Sequence, residues 1–128
     1  MPHISRKLLE KDKFFHIHKQ LYKVVNDLVR SGKTKTLFDN LLTKTEKIML
    51  SKRLAIIIML DEGESIYAIE NILKVSSSTV GRMSYLYESN LYSDLLKEIK
   101  TQNNFWSKFK KIIPPKVGRD RFKNFSHI

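Results

Sequence analysis

Residues 63–89, GESIYAIENILKVSSSTVGRMSYLYES, decide the fold of this chain. In the first part of this stretch the apolar residues recur at three- and four-residue steps, the spacing of one helix face: Ile66, Ile69, Ile72 and Leu73. In the second part the same spacing is repeated by Val80, Met83 and Tyr87. The pattern predicts short helices at about 65–73 and 77–89, with Lys74-Val75-Ser76 between them. Together they form a helix-turn-helix, which we place at about 65–88.

The second of these helices begins in a run of small hydroxyl residues. Ser76, Ser77 or Ser78 can each cap its N-terminus. The major groove of B-DNA, about 12 Å wide, admits one α-helix, and the N-terminal residues of a recognition helix reach the base edges. Hydroxyl groups can bond bases or phosphates, and an arginine can pair with guanine. The candidate DNA-contact residues on this helix are Ser76, Ser77, Ser78, Thr79, Gly81 and Arg82.

The turn contains one departure from the usual motif. Lys74 stands where such turns often carry glycine. A left-handed conformation there would cost a lysine roughly 1 kcal/mol, so we expect the turn to differ slightly. The alternative interpretation of residues 65–88 is a helical hairpin that serves only packing. The basic charge of the chain and the serine-rich start of the second helix favour DNA binding.

Upstream, the sequence predicts three more helices. The first covers about 5–31 and stops at Gly32. It carries a wide apolar stripe made of Phe14, Ile17, Leu21, Val24 (or Val25) and Leu28. That stripe needs a partner surface larger than one neighbouring helix. A short helix follows at 33–42. Thr43-Lys44-Thr45-Glu46 is a capping box that opens a third helix at about 44–62, which Gly63 ends.

The helix at 44–62 is unusually apolar. Its segment LAIIIML, residues 54–60, is hydrophobic nearly all the way round, which is typical of a buried central helix. Burying it on every side in a chain of 128 residues is expected to require a second subunit, so we predict a homodimer.

Downstream, a helix at about 91–101 is predicted to pack back on the core with Leu91, Leu95, Leu96 and Ile99. Residues 102–128 form a basic, aromatic C-terminal tail. We therefore divide the chain into a helical domain, 1–101, and the tail, 102–128. Aromatic residues interleaved with bases suit phosphate neutralisation, stacking on single strands or a membrane surface. A tail folded onto its own dimer is the alternative.

The charge balance limits the class of partner. The net charge is +11, which favours nucleic acid or an anionic membrane surface. Seven Lys or Arg and one Asp give residues 101–128 a charge of +6.

The chain has no cysteine, hence no disulfide or thiolate metal site, and its longest apolar run is far shorter than the ~20 residues of a membrane span. We expect a soluble, cytoplasmic protein.

Catalytic and metal-binding patterns do not occur. The sequence has no P-loop, Gly-x-Ser-x-Gly or HExxH motif, so we predict no enzyme. His16 and His18 would point about 200° apart on a helix and could not share an ion. We predict no metal and no cofactor.

Residues 41–84, LLTKTEKIMLSKRLAIIIMLDEGESIYAIENILKVSSSTVGRMS, resemble the Trp-repressor-like helix-turn-helix family. The features that carry the resemblance are Leu42-Thr43, Lys52-Arg53, Gly63, Ile69 with Leu73, Val75-Ser76, and Thr79-Val80 with Arg82. The likeness covers about residues 37–89. It implies an intertwined, all-α homodimer that places two recognition helices in successive major grooves of a nearly palindromic operator. It also implies a transcriptional regulator, with repression as the expected mode.

The resemblance raises tryptophan as a corepressor. In the Trp-sensing members two arginines flank the indole ring, and their counterparts here would be Arg53 and Arg82, with Thr43 at a third contact. Met83 replaces a small glycine, however, and Leu86 replaces a serine that helps to hold the ligand's amino group. We therefore expect no tryptophan binding. Arg53 then becomes, with Lys52, a candidate contact to the DNA backbone.

These observations predict a sequence-specific regulator that binds double-stranded DNA. Two other functions stay open. One is an RNA- or single-strand-binding protein that uses the C-terminal tail, with the helices as scaffold. The other is an adaptor that docks on another protein through its apolar helices.

Overall fold

The computed structural model describes residues 10–102, which form six α-helices and no β-strand. The helices are α1 Lys11–Arg30, α2 Thr34–Leu41, α3 Lys44–Asp61, α4 Ile66–Leu73, α5 Ser77–Glu88 and α6 Ser93–Lys100. The predicted all-α class is confirmed, and each helix overlaps a predicted one, but α1 begins at Lys11 after its N-cap Glu10 and α6 begins at Ser93, both later than predicted. The predicted start of the first helix, residues 5–9, and nearly all of the C-terminal tail lie outside the described residues. The chain divides within α3 into two compact units, Met1–Leu50 and Ser51–Ile128.

In the first unit, α1 and α2 pack against each other across a tight turn. Gly32 adopts a φ of +73°, a left-handed conformation that glycine takes without steric cost. The amide of Lys33 bonds the carbonyl of Leu28 at 2.8 Å, which closes the end of α1. Gly32 thus ends the helix as predicted. Leu37 is the buried residue of α2.

The apolar stripe of α1 is present but uncovered by the described part of the chain. No residue of α1 is buried, and the exposed members of the predicted stripe are Phe14, Ile17, Leu21 and Val24. Val25 and Leu28 are half-buried. An exposed apolar surface of this kind is typical of an interaction site.

The start of α3 is held by the predicted capping box. The Thr43 amide donates to Glu46 Oε1 at 2.9 Å, and the Glu46 amide donates to Thr43 Oγ1 at 3.1 Å. The bond from the Thr43 amide holds the pKa of Glu46 below its usual value. Nearby, Asp39 accepts Lys35 Nζ at 2.6 Å and Lys47 Nζ at 2.7 Å, which lowers the Asp39 pKa to about 2. The capping-box prediction is confirmed.

The second unit contains a continuous hydrophobic core. Its buried residues come from four helices: Ile56, Ile57, Ile58, Met59, Ile69, Val80, Met83, Leu96 and Ile99. The prediction that residues 54–60 need a second subunit for their burial was wrong, because residues 55–59 are already buried within one chain, where they join residues of α4, α5 and α6 in this core. The exposed part of α3 lies instead in its N-terminal half, where Ile48 is 47% and Leu50 is 45% exposed.

α6 returns to the core with one face only. Leu96 and Ile99 are buried, as predicted, whereas Leu91 and Leu95 are exposed. Leu91 lies in the turn before the helix, so the helical spacing that included it did not apply.

A polar contact links the ends of three helices in this unit. Tyr87 Oη of α5 donates to Asp61 Oδ1 at 3.0 Å, and Lys100 Nζ of α6 lies 3.0 Å from Asp61 Oδ2. The hydrogen bond to Asp61 raises the pKa of Tyr87.

Candidate DNA interface

The first helix of the motif, α4, is fixed by a cap and by its buried face. Ser65 Oγ accepts the amide of Ala68 at 3.1 Å and so caps the helix. Ala68 and Ile69 are buried in the core, and α4 packs against α5. The sequence-based prediction of two short packed helices at 65–88 agrees with this arrangement. α4 therefore sets the position from which α5 begins.

The turn between the two helices contains a left-handed lysine. Lys74 adopts φ 55° and ψ 55°, so the expectation that the turn would avoid this conformation was wrong. Lys52 Nζ of α3 donates to the main-chain carbonyl of Lys74 at 3.3 Å. This bond ties the turn to the central helix and offsets part of the conformational cost at Lys74.

Of the three serines that the sequence left open, Ser76 is the N-cap of α5. Its Oγ accepts the Thr79 amide at 3.3 Å and lies 2.8 Å from Thr79 Oγ1 and 3.2 Å from Ser78 Oγ. The Ser76 and Thr79 hydroxyls therefore hold the start of the helix together. Ser77 and Ser78 are exposed beside them.

The two faces of α5 differ sharply in burial. Val80 and Met83 point into the core. On the other face lie Ser78, Gly81, Arg82 and Tyr85, of which all but the half-buried Gly81 are exposed. A Cβ at Gly81 would have no neighbouring atom within 4 Å. The outward face of α5 is therefore open along its length.

Sequence reasoning missed Tyr85, whose side chain is 75% exposed. The signal was present, because residue 85 lies three positions after Arg82 and seven after Ser78, on the same helix face.

The two α3 candidates have different environments. Lys52 is half-buried and bonded to the turn, whereas Arg53 is exposed. Within residues 10–102 no hydrogen bond or ion pair joins Arg53 to α5. The structure thus brings Lys52 to the motif through a direct contact and leaves Arg53 as a surface cation.

The positive charge of the protein is not on the helix-turn-helix. Residues 61–89 carry two basic and five acidic side chains, a net charge of −3. Residues 1–50, with eleven basic and five acidic side chains, carry +6, as does the tail. General attraction to a polyanion must therefore come from residues outside the motif. The motif itself contributes the exposed polar side chains of α5.

The residues that the resemblance assigned to a tryptophan site are placed as follows. The Met83 side chain is buried in the core, and Leu86 is half-buried on the same helix. Arg53 and Arg82 are exposed. Thr43 has its hydroxyl in the capping box of α3.

Within residues 10–102, no three His, Cys, Asp or Glu side chains are grouped so that they could hold a metal ion. None of the six helices is long and apolar enough to cross a membrane.

Comparison with known proteins identifies the family. The family model described as Trp repressor protein matches residues 17–100, and the chain belongs to that family. No curated protein and no solved structure matches the chain. The matched range starts within α1 and ends with α6, so it includes the whole helix-turn-helix. The family consists of all-α, non-enzymatic regulators that bind DNA, and the resemblance seen in the sequence is confirmed.

Proposed function

We propose that this member of the Trp repressor family is a sequence-specific regulator that binds double-stranded DNA and represses transcription as a homodimer. The observation that carries the proposal is the geometry of α5. One face of this helix is locked into the core by Val80 and Met83, and the other presents a row of small and polar groups to solvent. This is the arrangement that lets a helix enter a major groove with its N-terminus foremost.

Each candidate residue has a role in this binding mode. Ser77 and Ser78, at the exposed start of α5, bond base edges or phosphates, and Arg82 pairs with a guanine one turn further on. Gly81 allows close approach of the helix. Ser76 and Thr79 shape the N-terminus of the helix, whose amides attract a phosphate. Lys52 and Arg53 contact the DNA backbone.

The homodimer is supported by the uncovered apolar surface of the first unit. Phe14, Ile17 and Tyr22 of α1 are all more than half exposed, and Phe38 of α2 is also exposed. A second copy of the chain is the partner that fits, because two recognition helices then read two half-sites about one helical turn apart.

The dimer has its own test. Sedimentation of the full chain should give twice the 15.1 kDa of one chain. Ile17→Glu is expected to shift the mass toward that of one chain. The matched control is Leu91→Glu, which places the same charge at an exposed leucine of the second unit. A wild-type chain that sediments as a monomer at all concentrations would contradict the dimer.

Regulation by tryptophan is not part of the proposal. Met83 fills the position beside Arg82 with a side chain that belongs to the core, and Leu86 offers no polar group to an amino acid. Calorimetric titration with tryptophan is expected to give no binding heat. Saturable binding with an effect on DNA affinity would overturn this part.

One observation favours a second function. Residues 61–89 carry −3, and the helix-turn-helix at 65–88 within them has no net charge, whereas the tail carries +6, so RNA or single-stranded DNA could be bound mainly by the tail. A third candidate, an adaptor for another protein, predicts no preference among nucleic acids beyond charge.

A comparison of two variants tests the main proposal against both. The probe is an operator selected from random duplex DNA. Arg82→Ala is expected to weaken operator binding by about 1–3 kcal/mol and to leave binding to a scrambled duplex nearly unchanged. Lys97→Ala, which removes an exposed cation of α6, is the matched control and should affect both duplexes equally. Equal losses for the two variants on both duplexes would contradict base reading by α5.

A further inference from the structure

Tyr85 is the most exposed of the large hydrophobic residues at described positions, at 75%. Its ring lies on α5, whose opposite face is buried through Val80 and Met83. An aromatic ring in this position contributes nothing to the core of its own chain. The ring is therefore available for contacts with another molecule, and it lies on the face of α5 that the proposed function assigns to DNA.

The position of the ring follows from helix geometry. Seven residues advance an α-helix by almost two turns, so Ser78 and Tyr85 lie nearly on one line, about 10 Å apart along the axis. Gly81 and Arg82 lie between them on either side of that line. Residues spaced i, i+3, i+4 and i+7 on a recognition helix share one face, so a helix that presents Ser78 and Arg82 to a major groove presents Tyr85 on the same side.

Gly81 leaves a gap beside this ring. Side chains on a helix lean toward its N-terminus, so the Tyr85 ring leans toward the turn that contains Gly81. Glycine in a helix interior is less favourable than alanine. The chain's own packing does not require it here, because a Cβ would meet no atom within 4 Å. The backbone at Gly81 is therefore bare on the outward face, one helical turn before Tyr85.

We propose that the exposed ring of Tyr85, next to the bare backbone at Gly81, contacts the methyl group of a thymine in the operator. The thymine C5-methyl is the apolar group that base pairs present in the major groove, and protein groups that read it are themselves apolar. This inference rests on the proposed function and adds a specificity-determining residue to it. The Tyr85 hydroxyl is not needed for the contact.

The test removes the methyl group and the ring separately. Each thymine of a selected operator is replaced in turn by deoxyuridine, which lacks only the C5-methyl. One thymine per half-site is expected to show a loss of affinity of about fourfold, the value of one buried methyl-sized group. Tyr85→Ala is expected to bind the thymine operator at least fourfold more weakly than the wild type does. This variant should bind the thymine and deoxyuridine operators with equal affinity. Gly81→Ala is expected to bind the thymine operator less well than the deoxyuridine operator.

Tyr85→Phe is the matched control because it keeps the ring and removes the hydroxyl. It should bind the thymine operator as the wild type does. Equal losses for Tyr85→Phe and Tyr85→Ala, independent of the base, would show a hydroxyl bond to phosphate and overturn the proposal. Wild-type affinity of Tyr85→Ala for the operator would also overturn this proposal, but it would leave the proposed function intact. Failure to select any operator would remove the proposed function and this contact together.

Discussion

Replacing Lys74 by glycine is expected to make the protein more stable. Lys74 sits at φ 55° and ψ 55°, where its Cβ crowds the following carbonyl. Relief of that contact is worth roughly 1–2 kcal/mol, and the greater freedom of glycine in the unfolded chain cancels about 0.4–1 kcal/mol. The difference between these ranges is roughly 0–1.6 kcal/mol, so the expected net gain in the free energy of unfolding is about 0.8 kcal/mol. The bond from Lys52 uses the main-chain carbonyl of residue 74, so the substitution leaves it in place.

Thermal and urea unfolding, followed by circular dichroism at one protein concentration, measure this gain. For a domain of this size, 1 kcal/mol corresponds to a Tm increase of roughly 4 °C. Lys97→Gly is the matched control, since Lys97 lies inside α6 and is exposed. The same Lys-to-Gly change there should cost about 1 kcal/mol.

Opposite signs for the two variants would confirm that backbone conformation decides the effect. A Lys74→Gly protein that unfolds at a lower temperature than the wild type would refute the reasoning. It would mean that the Lys74 side chain contributes more than its backbone conformation costs.

Three further outcomes follow from local contacts and charge. Ser76→Ala removes the N-cap of α5 and should lower the free energy of unfolding by about 1 kcal/mol, whereas Ser77→Ala, beside it and outside the cap, should change it by less than about 0.5 kcal/mol in urea titration. The folded-state pKa of Asp39, about 2, lies below its usual 3.8, so its contribution to stability is present above pH 3.8 and is lost as the pH falls toward 2. Across this range the Tm of the wild type should therefore fall more than that of Asp39→Asn, and parallel curves would show that the ion pairs do not stabilise the fold. Removal of residues 102–128 should keep the sequence preference and flatten the dependence of log K on log salt by at most about 0.9 for each tail cation that contacts a phosphate. A truncated chain that loses its preference among duplexes would instead place recognition in the tail.

Local signals in the sequence were sufficient to predict the helices. The capping box Thr43–Glu46 and the stops at Gly32 and Gly63 depend on residues a few positions apart, and the structure contains them as predicted. Apolar spacing at 66–73 and 80–87 likewise identified the two helices of the motif. Such features depend mainly on backbone geometry, which a short stretch of sequence determines.

What covers each apolar face could not be predicted in the same way. Periodicity marked both α1 and α3 as hydrophobic, yet Ile58 of α3 is buried by its own chain while Phe14 of α1 is exposed. The difference depends on contacts between helices that are distant in sequence. Spacing alone does not encode those contacts.

The candidate site was predicted in part. Arg82 and the serines were identified by residue type, but the choice of Ser76 as the cap depends on hydrogen bonds that three adjacent serines make equally possible. Tyr85 was missed because its significance lies in its exposure. The charge of −3 on residues 61–89 also shows that a basic total does not locate a nucleic-acid surface.

Selection from random duplex DNA at near-physiological salt, with the full 128-residue chain, tests the central claim most directly. The account predicts enrichment of a nearly palindromic sequence whose half-sites lie about one helical turn, 10–10.5 base pairs, apart. Salt-dependent binding of the whole pool without any enriched sequence would contradict it, because a recognition helix that reads bases must prefer some of them.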